Sequence, residues 1–288
     1  MPGATLTTKE VAKVLHVSEA TVKRWADDGL LQSEKTAGGH RRFSTAAIAR
    51  FGRGRGAEES PVGVKRKIQQ PDSPAGDLAD SLFVHLIEGD EEEAAALLIH
   101  AYLQGHGLAI LFDRVVAKAM HRVGELWYRG ELTIADEHLA ARTAIAALQE
   151  LRGVIRLALP TGMKAMICGV EGDLHELPVH LVQVLLESDG WKVINLGPNT
   201  PFFPFAEAVP KHRPQLVCIS AKLLGDPDRI AREFDQVRKV AAKINCRIVI
   251  GGDGFADAKL RQRFPADSFA KDLPELVKYA HSLIPAEK

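Results

Sequence analysis

The chain has 288 residues, room for about two domains at roughly 100–200 residues each. Apolar residues make up 46% and charged residues 26%, which excludes global disorder and a fibrous class. The net charge is zero, but residues 1–67 carry 13 Lys and Arg against 7 Asp and Glu, and the remainder 24 against 30; a basic first module is an electrostatic footprint for phosphate.

At the N-terminus, Met1-Pro2-Gly3-Ala4-Thr5-Leu6 lacks the basic and apolar blocks of a signal peptide. No apolar run approaches the roughly 18 residues of a membrane helix. No membrane association and a cytoplasmic location are expected. Thr7 and Glu10 stand at capping-box spacing before a short helix with Val11, Ala12 and Leu15 on one face. After His16-Val17, Ser18 caps a second helix, Glu19 to about Asp28, that ends at Gly29. Two short helices joined by about three residues predict a helix-turn-helix. Its second helix brings Ser18, Thr21, Lys23 and Arg24 toward a major groove. Gly38-Gly39-His40-Arg41-Arg42-Phe43 then predicts a β-hairpin wing, with His40, Arg41 and Arg42 at and just after its tip. Ser44 or Thr45 caps a further helix through Phe51.

The stretch Leu6–Phe51 resembles the winged helix of the MerR family. Both Val22-x-x-Trp25-Ala26-Asp27-x-Gly29-Leu30-Leu31 and the Gly-Gly-His-Arg-Arg-Phe wing carry the likeness. The resemblance implies a dimer on a palindrome-like duplex operator.

Domain boundaries are set at 1–53 for this module, 54–76 for a Pro-, Gly- and charge-rich linker, 77–159 for a helical bundle and 160–288 for an α/β domain. Between 108 and 127 an apolar stripe is expected on Phe112, Val116, Ala119, Met120, Val123 and Trp127, at helical spacing. Arg129-Gly130-Glu131 breaks the helix, and Thr133 caps the next, whose stripe is expected on Ala141, Ile145 and Leu148 with His138 upon it. Trp127, Glu137 and His138 then gather at one end of an antiparallel helix pair. Two readings stand: a core tryptophan with a buried, satisfied histidine, or the lid of a flat, mostly apolar ligand.

From Lys164 the texture changes. Apolar runs at 165–170, 192–196, 216–220 and 247–250 alternate with helical stretches at about 178–189, 202–211 and 228–244. This pattern predicts a parallel sheet covered on both faces. Cys168, Cys218 and Cys246 stand singly in those runs and read as buried free thiols. After the first strand, Asp173 and His175 are two apart in a glycine-flanked loop, at the edge where open α/β sheets place ligands. Such a carboxylate orients one ring nitrogen while the other binds a metal. No second His or Cys stands at zinc-site spacing; a metal carried by a macrocycle needs one axial protein ligand.

Together these residues resemble the cobalamin-binding module of methionine-synthase type, a helical cap before a flavodoxin-like domain. With the MerR-like head, the chain resembles the CarH/CarA type of cobalamin-dependent repressor. The fold class implied is multidomain, α and α/β. The likeness implies that His175 is the axial ligand of cobalt, set by Asp173, and that a nucleotide tail runs beside Ser220, Gly251 and Gly252. It implies that the cofactor is adenosylcobalamin and that Trp127, Tyr128, Glu137 and His138 cover its upper face, where the 5′-deoxyadenosyl group sits. It also implies a dimer or tetramer on DNA that light disassembles. Three positions depart from the family pattern. Pro178 stands where glycine is usual, so the turn after the ligand must differ. Lys222 interrupts Ser-x-Leu. Tyr128 replaces a histidine that captures cobalt after photolysis. Two other readings are a regulator that senses another tetrapyrrole (a bilin or haem) or no ligand, and a corrinoid enzyme subunit for methyl transfer or mutase chemistry.

Overall fold

The computed structural model describes residues 5–15, 17–36, 38–44, 47–48, 51 and 75–285. It divides into two compact units, Met1–Ile155 and Arg156–Lys288. The expected linker, as far as residue 74, lies outside the described residues, and residues 75 and 76 already belong to a helix.

At the N-terminal end the capping box forms. Glu10 N–H donates to Thr7 Oγ1 at 3.2 Å, and Thr7 N–H to Glu10 Oε2 at 2.7 Å. It starts α1 (Thr8–Val14), and Ser18 starts α2 (Glu19–Asp27) by accepting from Thr21 N–H at 3.2 Å. The wing is β2 (Glu34–Lys35) against β3 (Arg41–Ser44). The sequence reading missed a third strand, β1 (Thr5–Thr7), which pairs with β3 in the order β1-β3-β2. Three residues are too few to show a period. Leu6, Val11, Val22, Trp25, Leu31 and Phe43 are buried together with Ala47 and Ile48. Ala47 N–H donates to Ser44 Oγ at 3.1 Å, which starts the expected helix; residues 45, 46, 49 and 50 lie outside the described residues.

The helical part holds α3 (Ala75–Glu88), α4 (Glu91–Gln104), α5 (Leu108–Leu111), a π-helical turn (Phe112–Val116), α6 (Ala117–Tyr128) and α7 (Ile134–Arg152). Asp90 caps α4, and Glu91, Glu92 and Glu93 occupy its first turn, where negative charge is favoured. α4 packs along α7, and α3 against α6, α7 and the π turn. Two expected stripes need correction. Met120 is only half-buried and Trp127 is 46% exposed, while Leu111 and Val115 are buried. Phe112, Val116, Ala119 and Val123 are buried as expected, through and beyond the π turn, and Met120 and Trp127 fall outside that buried face. On α7 the buried face is Ala140, Thr143, Ala144, Ala147, Leu148 and Leu151. His138 precedes Ala140 by two residues, about 200° around the helix, so it points outward instead of lying on the stripe.

The second unit holds β4 (Lys164–Gly169), α8 (Leu177–Ser188), β5 (Lys192–Asn195), α9 (Phe202–His212), β6 (Leu216–Ser220), α10 (Pro227–Lys243) and β7 (Arg247–Gly251). After β7 come a 3₁₀ turn (Asp253–Phe255), α11 (Ala258–Arg261), β8 (Ser268–Ala270) and α12 (Leu273–Leu283). The sheet is parallel, in the order β5-β4-β6-β7-β8. β8, too short to read from its pattern, is an unforeseen fifth strand. One core holds Phe202, Phe205 and Val209 of α9 with Phe234 and Val237 of α10, and the other holds Val179, Val182 and Leu186 of α8 with Leu276 and Ala280 of α12. The three cysteines are free and buried, and burial pushes their thiols up.

The turn into β5 depends on Gly190. Its φ is +82°, and a Cβ there would lie 2.2 Å from the Leu159 carbonyl oxygen. Gly190→Ala should cost more than about 2 kcal/mol, from left-handed strain plus the clash. Gly124→Ala, in an open helical position, should instead stabilise by about 0.5–1 kcal/mol. Urea unfolding followed by circular dichroism checks both.

Candidate functional site

Two groups of side chains need a functional account. The first faces outward from the winged helix. α2 buries Val22 and Trp25 and leaves Lys23 and Arg24 exposed. This division follows the helical period. Ser18 and Thr21 join through their hydroxyls at 2.9 Å, as part of the cap. The wing tip is closed by Gly39 N–H to the Thr36 carbonyl at 2.8 Å and Thr36 N–H to the His40 carbonyl at 2.9 Å, with His40 exposed. Arg42 lies opposite Thr7 on one side and Glu34 on the other. Arg41 differs from Arg42: its guanidinium is paired with Asp27 of α2.

The second group lies at the C-terminal edge of the sheet. β4 has β5 on one side and β6 on the other, so the strand order reverses there, the topological switch point of an open α/β sheet. The loop after β4 carries Asp173, 3% exposed. Asp173 Oδ1 meets His175 Nδ1 at 2.6 Å and accepts from His175 N–H at 3.1 Å. Asp173 Oδ2 accepts from the backbone N–H of Lys222, after β6, at 2.6 Å. Burial alone would push this carboxyl up. The His175 ring and the two backbone donors more than offset it, so the group stays below its ordinary value. With Nδ1 engaged, a neutral imidazole carries its lone pair on Nε2, the nitrogen that would meet a metal. The His175 side chain is 42% exposed.

The departures are absorbed locally. Pro178 occupies the second position of α8, within the first turn, where a missing N–H costs no helical bond. The Asp173–His175 pair is intact beside it. Lys222 does not shift the strand register: Gly169, Ser220 and Gly251 are still aligned across β4, β6 and β7. Its ammonium pairs with Asp253. Nothing in the sequence pointed to the Lys222 N–H, and it offered Asn199 only within Leu196-Gly197-Pro198-Asn199-Thr200-Pro201, a segment that resembles the family's stretch after the second strand. Asn199 has φ +50°, donates its N–H to the Asp173 carbonyl at 2.9 Å and accepts from Gly172 N–H at 2.8 Å. Asn is among the few non-glycine residues that adopt this region readily, a signal that was present in the sequence.

Ser220 ends β6 and Gly251 ends β7. A Cβ at Gly252, where φ is +97°, would lie 2.3 Å from the Ala221 carbonyl oxygen, and one at Gly251 would lie 3.0 Å from that of Ala270. The chain's own close approach therefore already demands glycine at Gly252. In the helical part, Trp127 and Tyr128 end α6, 46% and 86% exposed. Glu137 Oε2 and His138 Nε2 stand 3.6 Å apart, with the histidine side chain 70% exposed. Trp127 is therefore not a core tryptophan, and His138 is not buried. Among the described residues no cluster of three or more His, Cys, Asp and Glu could hold a metal. The donor set at the sheet edge, one histidine oriented by one carboxylate, fits a cobalt that arrives in its own macrocycle.

Residues 5–55 match the family model of the helix-turn-helix domain, and residues 78–152 that of the B12 binding domain. The chain thus holds a helix-turn-helix domain followed by a B12 binding domain. It is 25% identical over 268 residues to the HTH-type transcriptional repressor CarA of Myxococcus xanthus, with 87% of each chain covered. It is 23% identical over 176 residues to dimethylamine corrinoid protein 1 of Methanosarcina acetivorans, covering 60% of this chain and 82% of that protein. The solved structure of the monomethylamine corrinoid protein of Methanosarcina barkeri superposes with a TM-score of 0.60 at 18% identity, over 72% of this chain and 98% of that one. At that identity the likeness is one of fold. Of these three likenesses, the one to the transcriptional repressor covers the largest share of this chain, 87%. No helix among the described residues is long and apolar enough to cross a membrane.

Asp173 gives the site a pH dependence. Its folded value lies below its unfolded one, so it adds stability above the ordinary carboxylate value of about 3.9 and loses that contribution as pH falls through the folded value. Asp173→Asn should lower stability at pH 7 by about 1–3 kcal/mol, since it leaves buried donors poorly matched, and by less at pH 3. Urea unfolding of both proteins at the two pH values measures the difference.

Proposed function

We propose that this regulator binds operator DNA as a homo-oligomer, and that a cobalamin held through His175 sets its assembly. The observation that carries the reading is the 2.6 Å contact between buried Asp173 and His175 Nδ1, at a sheet edge in a chain that also holds a winged helix. The B12 binding domain and the likeness to CarA support it. Asp173 fixes the tautomer of His175 and aims Nε2; its own charge is kept by the Lys222 and His175 N–H groups. Ser220, Gly251 and Gly252 border the place for the nucleotide tail, and Trp127, Glu137 and His138 are assigned to the upper face of the corrin. Ser18, Thr21, Lys23, Arg24, His40 and Arg42 are assigned to the duplex, with exposed Lys23 and Arg24 and half-buried Arg42 supplying the salt-sensitive part of the affinity. When bound, adenosylcobalamin supplies a cobalt–carbon bond that light cleaves.

The test loads the full-length protein with adenosylcobalamin in the dark and follows its absorption spectrum, its size and its retardation of promoter fragments, before and after illumination. A corrinoid spectrum with imidazole as lower ligand, a dark oligomer on DNA and its loss in light are expected. His175→Ala should weaken cobalamin binding by about ten-fold or more and remove the imidazole signature. Wild-type spectrum and affinity in that variant would overturn the assignment of His175. Haem or bilin bands in the purified protein would overturn the choice of cofactor.

Tyr128 bears on the illuminated state. A phenol is a poorer metal donor at neutral pH than an imidazole, and this one stands 86% exposed at the end of α6. Illuminated wild type should therefore lose cobalamin on gel filtration more readily than Tyr128→His. Equal retention in both, abolished by His138→Ala, would give the trapping role to His138.

A further inference from the structure

Asp27 stands at an unfavourable end of its helix. It is the last residue of α2, where the macrodipole disfavours a carboxylate. It lies three residues after Arg24, on the element that faces the duplex in the reading above, where a negative charge opposes phosphate. A compensating partner is present: Arg41 Nη2 donates to Asp27 Oδ1. Arg41 is the first residue of β3, the returning strand of the wing. Side chains alternate along a strand, so Arg41 shares a face with Phe43, which is fully buried and lies opposite buried Leu6. Arg42 takes the other face. The Arg41 side chain is only 18% exposed, against 61% for Asp27. The guanidinium is thus folded back across the module toward the recognition helix instead of being displayed.

We propose that Arg41 is a positioning residue. Its ion pair with Asp27 braces the wing against the C-terminal end of α2, and Arg42 is the wing arginine that meets phosphate. The two arginines are adjacent in sequence but do different work because the strand turns them to opposite faces. The inference rests on the DNA-binding reading.

The experiment uses full-length protein, with and without adenosylcobalamin in the dark, and a 30-base-pair duplex that the wild type selects from a randomised pool. Affinity is measured against salt concentration. Asp27→Ala is expected to weaken binding about five-fold, although it removes a negative charge from the DNA-facing side. Arg41→Ala should weaken it to a similar extent, and the double variant no further than either. The salt slope should stay at the wild-type value in all three, and Asp27→Glu should keep most of the affinity. Arg42→Ala, by contrast, should reduce the slope by about 0.9, the value for one phosphate contact. Tighter binding by Asp27→Ala, or a slope lowered by Arg41→Ala as by Arg42→Ala, would make Arg41 a phosphate contact and overturn the brace. Hydrogen exchange of the Arg41–Ser44 amides without DNA gives a second readout. It should quicken in Asp27→Ala, and unchanged exchange overturns the brace alone. A wild type that selects no duplex overturns the DNA-binding reading and the role of Arg41 in it together.

Discussion

A buried carboxylate must find donors, and Asp173 organises the sheet edge around that need. It accepts three hydrogen bonds, two from His175 and one from the Lys222 backbone. An isolated buried charge would cost several kcal/mol. The loop after β4 and the loop after β6 therefore cannot move apart without exposing or stranding it. The second loop is in turn tied to the third: Ala221 N–H donates to the Gly251 carbonyl at 3.0 Å, and Gly254 N–H to that of Ala221 at 2.9 Å. The carboxylate thus links the ends of β4 and β6, backbone bonds extend the tie to β7, and the histidine is aimed by its own bond to the carboxylate.

The winged helix is organised on a smaller scale by the same demand for satisfied polar groups. Helices of 7 and 9 residues are too short to stand alone in water. Caps by Thr7 and Ser18 satisfy their first N–H groups, and a core of Val22, Trp25, Leu31 and Phe43 holds them together. The exposed side of α2 is then free to carry cations. Trp25 packs its ring 4.8 Å from that of Phe51, which ties the far end of the module to the recognition helix.

The departures from the family pattern show how local chemistry can change around a retained geometry. Pro178 is tolerated because it falls in the first turn of α8. Lys222 contributes its backbone N–H, which any residue but proline has, and sends its side chain to Asp253. Tyr128 stands outside the packed face of α6, so its identity is set by what it meets there and not by the core.

Local signals in the sequence determined most of the architecture. Capping spacings at Thr7, Ser18 and Thr133, the Gly38-Gly39 turn, and short apolar runs alternating with helices each act within a few residues, and each appears in the structure where its chemistry places it. Asp173 and His175 were legible too, because a carboxylate two residues from a histidine after a strand needs no distant partner to be noticed. Tertiary structure decided the rest. Lys222 reaches Asp173 across 49 positions, through a backbone group that carries no side-chain signature. His138 left its expected face because the pitch of α7 and its packing against α4, not the composition of the segment, set which residues turn inward. Arg41 and Arg42 read alike in the sequence; only the pairing of β3 with β1, which puts Phe43 over Leu6, decided which arginine turns back to Asp27 and which faces away.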